Sequence, residues 1–440
     1  MSKVHIKIPK VLLDTIKIDL ERHHAYAFER VGFCYGTSTK INAFEWVVII
    51  NNYMPVRDEN YIKTNEVGAR INSKAINEAF QYAFTNKHGL FHIHTHNFKT
   101  GLPQFGTDDL ESGNELMLSF QNYVTEQLHG IIVLSKNSIN AKVLLPAKNN
   151  LEKVDQISII GLKIIFCFPR KPIRFIKDER YSRQSFLGEN ANELISRLKI
   201  GVVGLSGGGS HIVQQLAHIG FKRFVLADPD IIDDESNLNR VVGATLQDAK
   251  INNSKFEVFK RLINSLHSNP EILGGQKKWE EEINSYKGCD LVFGGLDTMI
   301  GRRDLENFCR RYLIPYIDIG MGIVTEFIPY AMFGQVQLSV PGYSCLKCNG
   351  FITDESLKVE ANNYGQKTKR PQVIWPNGVL ASTAVGIAIN LITNWTANEN
   401  ETDYLSYDGN SHHLNDHIFK DYRPKTCNHY PISESGPLTL

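Results

Sequence analysis

Residues 198–230 read LKIGVVGLSGGGSHIVQQLAHIGFKRFVLADPD, and this stretch decides the fold class of the second half of the chain. LKIGVVGL predicts a buried strand, GGGSHIVQQLAHIG predicts a helix, and FKRFVLADPD predicts a second strand. Two later strand-like runs, KGCDLVFGGLD and IPYIDIG, alternate with helices predicted near 250–266 and 300–312. Alternating strands and helices with glycines at the turns indicate a mostly parallel sheet covered on both faces, which is a Rossmann-like α/β architecture.

The first half of the chain has a different pattern, in which short apolar runs of strand length predominate. These runs are GFCYG, WVVIIN, LFHIH, GIIVLS and AKVLLP, and helices are predicted around 10–24, 66–86 and 108–128. The prolines and basic residues of PRKPIRFIKD suit an exposed connection. We therefore expect a mixed α+β domain over 1–168, a linker over 169–178 and the α/β domain over 179–440.

The composition limits the classes of protein to which the chain can belong. Hydrophobic residues make up 42% of the 440 residues and charged residues 22%, which excludes wholesale disorder. The net charge of +1 argues against a protein that binds nucleic acid or anionic lipid through an extended positively charged surface. The charged start lacks the pattern of a signal peptide, and no uninterrupted apolar run approaches about 20 residues. We expect a cytoplasmic protein that binds neither nucleic acid nor a membrane.

A glycine-rich turn follows the first strand of 198–230 and opens the predicted helix. Gly204, Gly207, Gly208 and Gly209 let the backbone turn sharply and approach a phosphate, and the free N–H groups of a helix start supply positive potential. Asp228 ends the next strand, where an acidic side chain can accept hydrogen bonds from a ribose hydroxyl. Glycine packing is the alternative reason for such a turn, and the place of Asp228 favours a nucleotide site.

Amide and charged side chains follow this turn in a pattern unlike that of a dehydrogenase. Asn239, Arg240 and Lys255 come just beyond Asp228, and Asp297 ends a later strand. Chemistry on phosphate groups needs such charges around the oxygens, and a carboxylate can hold Mg²⁺. Taken singly, either Arg240 or Lys255 is interpreted as part of a solvated helix face.

Together these residues resemble the ThiF/MoeB family, to which ubiquitin-activating enzymes also belong. The resemblance runs from Arg180 to about Thr393 and is carried by several motifs in the order of the family. These motifs are RYSRQ at 180–184, the glycine turn, ADPD at 227–230, NLNR at 237–240, Lys255, and Asp297 followed by arginines. The resemblance implies a Rossmann-like enzyme that uses ATP and Mg²⁺ to adenylate the C-terminal carboxylate of a small ubiquitin-like or sulfur-carrier protein.

The resemblance also implies a role for each residue of the site. It assigns Asp228 to the ribose, Asn239, Arg240 and Lys255 to the phosphates, and Asp297 to the metal. Arg183 would reach the ATP of a second subunit, so a homodimer is expected. Adenylation by such a site is mainly positioning and charge neutralisation. Ser206 stands where the family usually has its second glycine, and a serine fits there if its φ stays negative.

Cysteines form a second candidate metal site in this half. Cys345 and Cys348 have the two-residue gap with which a chain wraps two thiolates around one Zn²⁺. The resemblance implies a structural zinc completed near the C terminus, where the chain offers Cys427 and His429. Three sulfurs and one imidazole make an acceptable tetrahedral set, and a plain pair of buried thiols is the alternative.

The sequence between Cys348 and Cys427 contains no cysteine, although ubiquitin-activating relatives carry a nucleophilic cysteine in this region. Only hydroxyls such as those of Thr353 and Ser356 are present near its start. Either the reaction stops at the acyl-adenylate or the acyl group passes to an unusual nucleophile, which leaves transfer to a conjugating enzyme open.

Three histidines in the first half of the chain occupy every second position, which is the spacing of side chains on one face of a strand. His92, His94 and His96 share one face of a strand, though three in a row would crowd a single ion. Two histidines, a carboxylate and a water make a catalytic zinc site, and Asp108 or Asp109 follows after a proline loop. The alternatives are a surface run of histidines and an acidic pair that only caps a helix.

Glu29, in ERVGFCYG, resembles the glutamate of the JAB/MPN (JAMM) metalloproteases, whose histidine motif matches HTH at 94–96. The likeness covers about residues 5–150 and implies that the two histidines and an aspartate bind Zn²⁺, with Glu29 as general base in peptide or isopeptide cleavage after ubiquitin-like tails. Aligning FGTDD with the family's Phe-Ser-x-x-Asp selects Asp109 and puts Gly106 in place of the oxyanion-stabilising serine. Slow activity is expected, unless the Gly106 N–H or a water substitutes.

The two halves together predict a bifunctional enzyme of a bacterial ubiquitin-like or sulfur-carrier pathway, in which one domain activates a protein tail and the other cuts it. The first alternative is an enzyme that adenylates a short peptide during maturation of a nucleotide-modified peptide. The second is an activating enzyme whose first domain only binds a ubiquitin-like fold.

Overall fold

The structure, a computed structural model, describes most of the chain and divides it into two compact units. The residues outside the description are 1, 24, 64–67, 97–99, 175–177, 234, 363–370, 394, 397–403, 419–421 and 438–440. The first unit comprises Met1–Pro172, Arg311–Leu313 and Pro431–Leu440, and the second comprises Ile173–Arg310 and Ile314–Tyr430. The chain passes from one unit to the other within the predicted linker, and Pro431–Leu440 groups with the first unit although the predicted second domain, 179–440, includes it.

The first unit is built on a nine-stranded mixed sheet with helices on its faces. Its elements are β1 (Lys3–Pro9), α1 (Lys10–Leu20), β2 (Val31–Asn42), β3 (Glu45–Pro55), β4 (Tyr61–Ile62), β5 (Arg70–Ile71), α2 (Ser73–Thr85), β6 (Gly89–Thr95), α3 (Thr107–Gln121), β7 (His129–Leu134), β8 (Ile139–Leu144), β9 (Glu152–Lys153), β10 (Gln156–Ile160) and β11 (Ile165–Cys167). The strand order is β11-β10-β1-β3-β2-β6-β7-β8-β9, and β4 and β5 form a separate small sheet.

Two apolar cores cover the two faces of this sheet. Phe91 and Ile93 of β6 belong to the core that also contains the buried side of α1. Because side chains alternate along a strand, His92 and His94 point to the opposite face, where α2 and α3 pack. The alternation therefore places the predicted histidines on one side of the sheet, as the sequence indicates.

The second unit contains an eight-stranded sheet whose first five strands are parallel. Its elements are α4 (Ala191–Arg197), β12 (Lys199–Val203), α5 (Gly207–Ile219), β13 (Arg223–Ala227), α6 (Leu246–Lys250), α7 (Lys255–Leu266), β14 (Glu271–Gly275), α8 (Ile283–Lys287), β15 (Leu291–Gly294), α9 (Met299–Arg311), β16 (Tyr316–Val324), β17 (Ala331–Ser339), α10 (Asp354–Asn362), α11 (Ile374–Ile392), β18 (Tyr404–Asp408) and β19 (His413–Asp416). The order is β14-β13-β12-β15-β16-β17-β18-β19, with antiparallel pairing from β16 onward.

The Rossmann-like prediction is confirmed for this unit, because the parallel strands follow a doubly wound order that reverses between β12 and β15. The three antiparallel strands β17, β18 and β19 are an extension that the strand–helix alternation did not predict. In the first unit α2 begins at Ser73 rather than near residue 66, because the Asn72 side chain accepts a hydrogen bond from the Ala75 N–H and caps the helix there.

One described helix, α11, is long and apolar enough to cross a membrane by length and composition. Half of its apolar window is buried inside the structure, and the helix packs against α5, β16 and β17. A core helix passes the same test, so this feature is weak support for a membrane span.

Candidate functional site

The first unit brings three of the predicted metal-site residues together. One ligand atom from each of Glu29, His94 and His96 lies within 4.8 Å of the other two. His94 is on β6 and His96 follows its end, while Glu29 lies two residues before β2. Because Val31 of β2 pairs with His94 of β6, the start of one strand meets the end of the other at this point.

Asp109 lies beside these three residues, and we call the four together the histidine–carboxylate site. Its Oδ2 lies 3.5 Å from His94 Nε2 and 3.9 Å from His96 Nε2. The contact with His94 is the main cause that lowers the pKa of Asp109 below its usual range, so the carboxylate is ionised. Asp108, one residue earlier in the first turn of α3, is exposed. The geometry therefore favours Asp109 over Asp108 as a ligand.

The environment of His94 fits a metal ion. His94 is 3% exposed, and neither of its ring nitrogens has a partner with hydrogen-bond geometry among the described residues. Buried polar atoms without partners are rare in native structures because they lose hydration without compensation. Two imidazoles with carboxylates are a donor set of catalytic zinc sites. The residues present fit Zn²⁺, and their role as ligands remains a prediction.

His92 does not belong to the ligand group. Its ring centroid lies 5.9 Å from that of His94 and 5.7 Å from that of Phe33. Burial lowers the pKa of His92 to about 3, so the ring is neutral near pH 7. His92, the first histidine of the run, therefore packs beside the site, which removes the crowding that the sequence suggests.

Gly106 is the N-cap residue of α3, and its backbone N–H is already hydrogen-bonded to the Asp109 side chain. Its N–H donates a hydrogen bond of 2.7 Å to Asp109 Oδ2, so the expectation that this N–H replaces the missing serine as an oxyanion donor is wrong for this conformation. The predicted role of the acidic pair as a helix cap is partly true, because Asp109 accepts this bond while also facing both histidines. One carboxylate thus caps α3 and faces both histidine rings.

In the second unit the glycine turn lies at the carboxyl end of β12. Gly204 has φ of +84°, a region that favours glycine. A Cβ on Gly209 would lie only 1.8 Å from the Gly204 carbonyl oxygen, so the start of α5 needs a residue without a side chain at this position. Ser206 has φ of −84°, which satisfies the condition for a serine there. The turn forms a cradle of the kind that phosphates occupy at helix starts.

The other predicted nucleotide residues follow neighbouring strands. Val203 of β12 pairs with Ala227 of β13 on one side and with Gly294 of β15 on the other. Asp228, the glycine turn and the loop to Asp297 therefore leave the same edge of the sheet at the topological switch point, where ligands of such folds bind.

Asp228 and Lys255 form a buried ion pair beneath the turn. Asp228 Oδ2 accepts a hydrogen bond of 2.6 Å from the Leu205 N–H, and its Oδ1 lies 3.5 Å from Lys255 Nζ. Lys255 Nζ also bonds to Asp230 at 2.8 Å. Burial raises the pKa of Asp228. Asp228 thus anchors the glycine turn, whereas Asp230 has a side chain that is 69% exposed and was not singled out from sequence.

Arg240 lies beside the first turn of α5. Ser210 Oγ donates to the Arg240 carbonyl at 3.4 Å, and Arg240 Nη1 donates to the Ser236 carbonyl at 2.9 Å. The Nε of Arg240 is buried and has no hydrogen-bond partner among the described residues. A buried cationic donor beside a glycine cradle fits a phosphate group.

Asn239, Asp297 and Arg183 have exposed side chains. Asn239 precedes Arg240, and Asp297 lies in the loop between β15 and α9. Arg183 lies in a 3-10 helical segment, Glu179–Leu187, whose Gln184 donates to the Ile219 carbonyl at the end of α5. The predicted roles of these three residues, and the homodimer implied for Arg183, stay predictions.

The four candidate zinc ligands of the second unit converge, and we call them the cysteine–histidine site. Ligand atoms of Cys345, Cys348, Cys427 and His429 all lie within 4.8 Å of one another. His429 Nδ1 is 3.4 Å from Cys345 Sγ and 3.3 Å from Cys348 Sγ. A hydrogen bond from the Cys345 thiol is the main cause that lowers the pKa of Cys427 to about 4. Such a set fits one structural Zn²⁺ better than a plain pair of buried thiols.

Two residues missed from sequence support the turn that carries Cys345. Arg310 donates to the carbonyls of Tyr343 and Ser344, and Glu306 accepts from the Leu346 N–H at 2.9 Å. Both belong to α9 and are buried. The sequence shows them only as charged residues in a predicted helix, so no local pattern reveals this role.

The hydroxyls of Thr353 and Ser356 are already engaged. The Ser356 N–H donates to Thr353 Oγ1 at 3.1 Å, and the Thr353 N–H donates to Ser356 Oγ at 3.1 Å. This reciprocal pattern caps α10. Both hydroxyl oxygens therefore accept hydrogen bonds at the start of α10.

One known protein family matches the sequence of the second unit. The ThiF family matches residues 180–429, which is more than half of the chain. The chain therefore belongs to the ThiF family.

Several curated proteins are similar to part of the chain. The SUMO-activating enzyme subunit 2 of Dictyostelium discoideum is 30% identical over 186 residues, 41% of this chain and 26% of that protein. The SAMP-activating enzyme E1 of Haloferax volcanii is 29% identical over 174 residues, 39% of this chain and 61% of that protein. The tRNA threonylcarbamoyladenosine dehydratase of Bacillus subtilis is 27% identical over 154 residues, 34% of this chain and 59% of that protein. Each match spans less than two thirds of the relative.

Solved structures resemble the chain more weakly. E. coli MccB with MccA-N7isoASN has a TM-score of 0.48 at 18% identity, and the likeness covers 60% of this chain and 77% of that chain. SeMet PaaA has a TM-score of 0.43 at 16% identity, over 54% of this chain and 81% of that chain.

Proposed function

We propose that the second unit adenylates the C-terminal carboxylate of a small protein with ATP. The observation that carries this proposal is the convergence of the glycine turn, Asp228 and the Asp297 loop at one edge of the sheet, with the unpartnered Nε of Arg240 beside α5. Membership of the ThiF family and the similarity to the SUMO- and SAMP-activating enzymes support it.

The residues of this unit would act by position and charge. The glycine turn and the start of α5 offer N–H groups to the phosphates, and Arg240 and Lys255 neutralise charge as the carboxylate oxygen attacks the α-phosphate and pyrophosphate leaves. Asp297 would hold Mg²⁺, which supplies further neutralisation of the phosphate oxygens. Asp228 keeps the turn in place through the Leu205 N–H and would accept a hydrogen bond from a ribose hydroxyl.

We further propose that the first unit is a zinc-dependent peptidase of the JAMM type. His94, His96 and Asp109 would hold Zn²⁺, which lowers the pKa of a bound water toward about 7. Glu29, whose carboxylate lies within 4.8 Å of both histidine ligand atoms, would take the proton of the attacking water and pass it to the leaving amine. The convergence of Glu29, His94 and His96 within 4.8 Å, with Asp109 Oδ2 3.5 Å from His94 Nε2, is the observation that supports this proposal.

The shared substrate of the two sites would be the tail of a small ubiquitin-like or sulfur-carrier protein. One site activates a terminal carboxylate and the other cleaves the bond that follows such a terminus, so both chemistries need the same extended tail. The net charge of +1 favours a protein partner over a nucleic acid. We propose a cytoplasmic homodimeric enzyme, with a conjugating enzyme as a further partner if the acyl group is passed on.

ATP–pyrophosphate exchange tests the adenylation proposal. Purified chain is incubated with ubiquitin-like and sulfur-carrier proteins that end in Gly-Gly, and the label that returns to ATP is measured. We expect Arg240→Ala and Asp297→Ala each to reduce exchange by at least about 100-fold, since each removes charge stabilisation from the transferring group. Asp304→Ala removes an exposed carboxylate from α9, the helix that follows the Asp297 loop, and is the matched control. Normal exchange in the Arg240→Ala, Asp297→Ala double variant would refute the proposal.

Cleavage of a tail fusion tests the peptidase proposal. A ubiquitin-like protein with a short C-terminal extension is the substrate, and zinc content is measured in parallel. Glu29→Gln is expected to keep zinc and lose cleavage, while Glu21→Gln, an exposed carboxylate at the end of α1, retains both. Unchanged cleavage in Glu29→Gln removes its role as general base. Stoichiometric zinc without turnover on any fusion favours the alternative of an inactive binding unit.

A short peptide is the second candidate substrate for adenylation. The missing cysteine between Cys348 and Cys427, together with the capping role of the Thr353 and Ser356 hydroxyls, favours a reaction that needs no enzyme-bound ester or thioester. ATP–pyrophosphate exchange that requires a peptide of under ten residues, and that does not occur with folded ubiquitin-like or sulfur-carrier proteins, would select this alternative.

A further inference from the structure

The segment around α10 has no part in the functions described so far. It lies where ubiquitin-activating relatives carry a nucleophilic cysteine, yet it contains none. None of the nine described residues of α10 is buried, so apolar burial contributes little to holding this helix against the unit.

One side chain of α10 makes a specific contact with another helix. The carboxylate of Glu360 accepts hydrogen bonds from the Met299 N–H at 3.0 Å and from the Ile300 N–H at 2.7 Å. These are the first two N–H groups of α9. Thr298 Oγ1 accepts from the Gly301 N–H at 3.1 Å. The free N–H groups at the start of α9 are thus satisfied by one distant carboxylate and one local cap.

The charge of Glu360 suits this place. The first turn of α9 contains no acidic residue of its own, although a negative charge there is favourable because of the helix dipole. A carboxylate that accepts two backbone N–H groups makes charge-assisted bonds, which are stronger than neutral ones. Since the start of α9 is occupied in this way, it is not available to a phosphate.

The contact fixes the loop that carries Asp297. Asp297 stands two residues before Met299 and one before the capping Thr298, so the backbone that Glu360 holds is continuous with the backbone of the predicted magnesium ligand. Without Glu360, the first turn of α9 has two unpaired N–H groups and one local cap, and such helix ends fray readily.

We infer that Glu360 is a positioning residue for Asp297 and that α10 serves as a clamp on the metal-binding loop. This inference rests on the proposed adenylation function. In it, the cysteine-free segment contributes to nucleotide binding by ordering the loop after β15, rather than to catalysis by carrying a nucleophile.

Binding of a non-hydrolysable ATP analogue tests the inference without any protein substrate. The dissociation constant of AMPCPP is measured by calorimetry on the full chain, once with Mg²⁺ and once with EDTA, and the ratio of the two constants reports the contribution of the metal. In Glu360→Ala we expect this ratio to fall roughly tenfold, the size of one or two charge-assisted hydrogen bonds. The dissociation constant that Glu360→Ala shows in EDTA is expected to stay within about twofold of the wild-type value.

Two further variants make the result specific. Asp297→Asn removes the predicted ligand itself and is expected to abolish the effect of Mg²⁺. Glu355→Ala removes an exposed carboxylate from the same helix and is expected to leave both constants unchanged. Adding Glu360→Ala to Asp297→Asn should have no further effect, because both changes act on the same bound metal.

Amide hydrogen exchange gives an independent readout. Peptides that cover the start of α9 should exchange at least about tenfold faster in Glu360→Ala than in Glu355→Ala. The inference is overturned if Glu360→Ala keeps the wild-type Mg²⁺ ratio while Asp297→Asn loses it, or if exchange at the start of α9 is unchanged. If Asp297→Asn itself keeps the ratio, the assignment of Asp297 in the proposed function fails, and the inference fails with it.

Discussion

At the scale of single residues, backbone contacts decide which predicted roles remain open. Gly106 is the clearest case, because its N–H is bonded to Asp109 and its place in the alignment belongs to a serine. The backbone at Gly106 has φ of −69° and ψ of 169°, which any residue can adopt. A Cβ there would lie 3.3 Å from Asp109 Oδ2, so a side chain at this position reaches the histidine–carboxylate site.

Gly106→Ser is expected to raise the rate of tail-fusion cleavage by about 100-fold, since one oxyanion donor contributes on the order of 10²–10³ in rate. The measurement is single-turnover cleavage of the fusion at saturating enzyme. Gly106→Ala carries the same Cβ without the hydroxyl and should show no gain. Equal rates in the two variants would mean that the hydroxyl has no effect on cleavage.

His429 supplies the residue-scale test of the cysteine–histidine site. In a chain that also carries His94→Ala, so that the other site is impaired, His429→Ala should lose zinc during dialysis against a chelator, whereas His429→Cys should retain it. The reason is that structural zinc needs four ligands, and thiolate replaces imidazole in such sites. Zinc content by atomic emission is the readout, with His412→Ala as an exposed control. Retention of zinc by His429→Ala would exclude His429 as a ligand.

At the scale of elements, the turn between α6 and α7 positions Lys255, the first residue of α7. Asp248, at the start of α6, accepts hydrogen bonds from Arg261 at 2.7 Å and 2.8 Å, from the Thr245 N–H at 2.9 Å and from Asn253 at 2.8 Å. The Arg261 guanidinium is the main cause that lowers the pKa of Asp248 well below its usual range. One buried carboxylate thus joins the helix cap, the turn and α7.

Asp248→Asn is expected to lower the free energy of unfolding by about 2 kcal/mol at pH 7, a figure reduced because Arg261 is half exposed. Because the folded-state pKa of Asp248 is depressed, its contribution is present above the unfolded carboxyl pKa of about 3.9 and declines as the pH falls below it. Urea unfolding at pH 7 and pH 3.5 should therefore show a difference that narrows in acid. Glu257→Gln, which breaks the exposed pair with Lys260, should change stability by less than about 0.5 kcal/mol at either pH. A difference that is constant with pH would contradict this account.

At the scale of the whole molecule, the last part of the chain belongs to the first unit. Asn51 of β3 donates a hydrogen bond of 2.7 Å to the Ser435 carbonyl. Gly436 has φ of +107°, and a Cβ on it would lie 2.0 Å from Thr37 Oγ1 of β2. Close contact with two central strands therefore requires glycine at this position, and the first unit is assembled from segments more than 250 residues apart in sequence.

A chain that ends at Tyr430 should have a less stable first unit, by about 1–3 kcal/mol, because β2 and β3 lose these contacts. Amide exchange of peptides that cover β2 and β3 measures the change, and a chain that ends at Pro437 is the control. Equal protection in both chains would show that the segment adds no stability. Peptides from β12 and β13 should be unaffected in either case.

Short stretches of the sequence were sufficient to predict much of the local structure and of the site chemistry. The glycine turn, the strand–helix alternation and the spacing of His94 and His96 are set within short stretches, because a strand repeats every two residues and a phosphate turn needs glycines at fixed places. Those stretches predicted the Rossmann-like sheet, and they predicted residues that the structure then brings together at the histidine–carboxylate and cysteine–histidine sites.

Tertiary packing supported the choice of Asp109 over Asp108 that the JAMM resemblance implies, left His92 outside the ligand group, and joined Glu360 to the start of α9. These outcomes depend on which side chain faces which neighbour after packing, and a carboxylate in sequence looks the same whether it caps a helix, binds a metal or faces water. The same holds for residues 431–437, whose place on β2 and β3 depends on contacts across almost the full length of the chain.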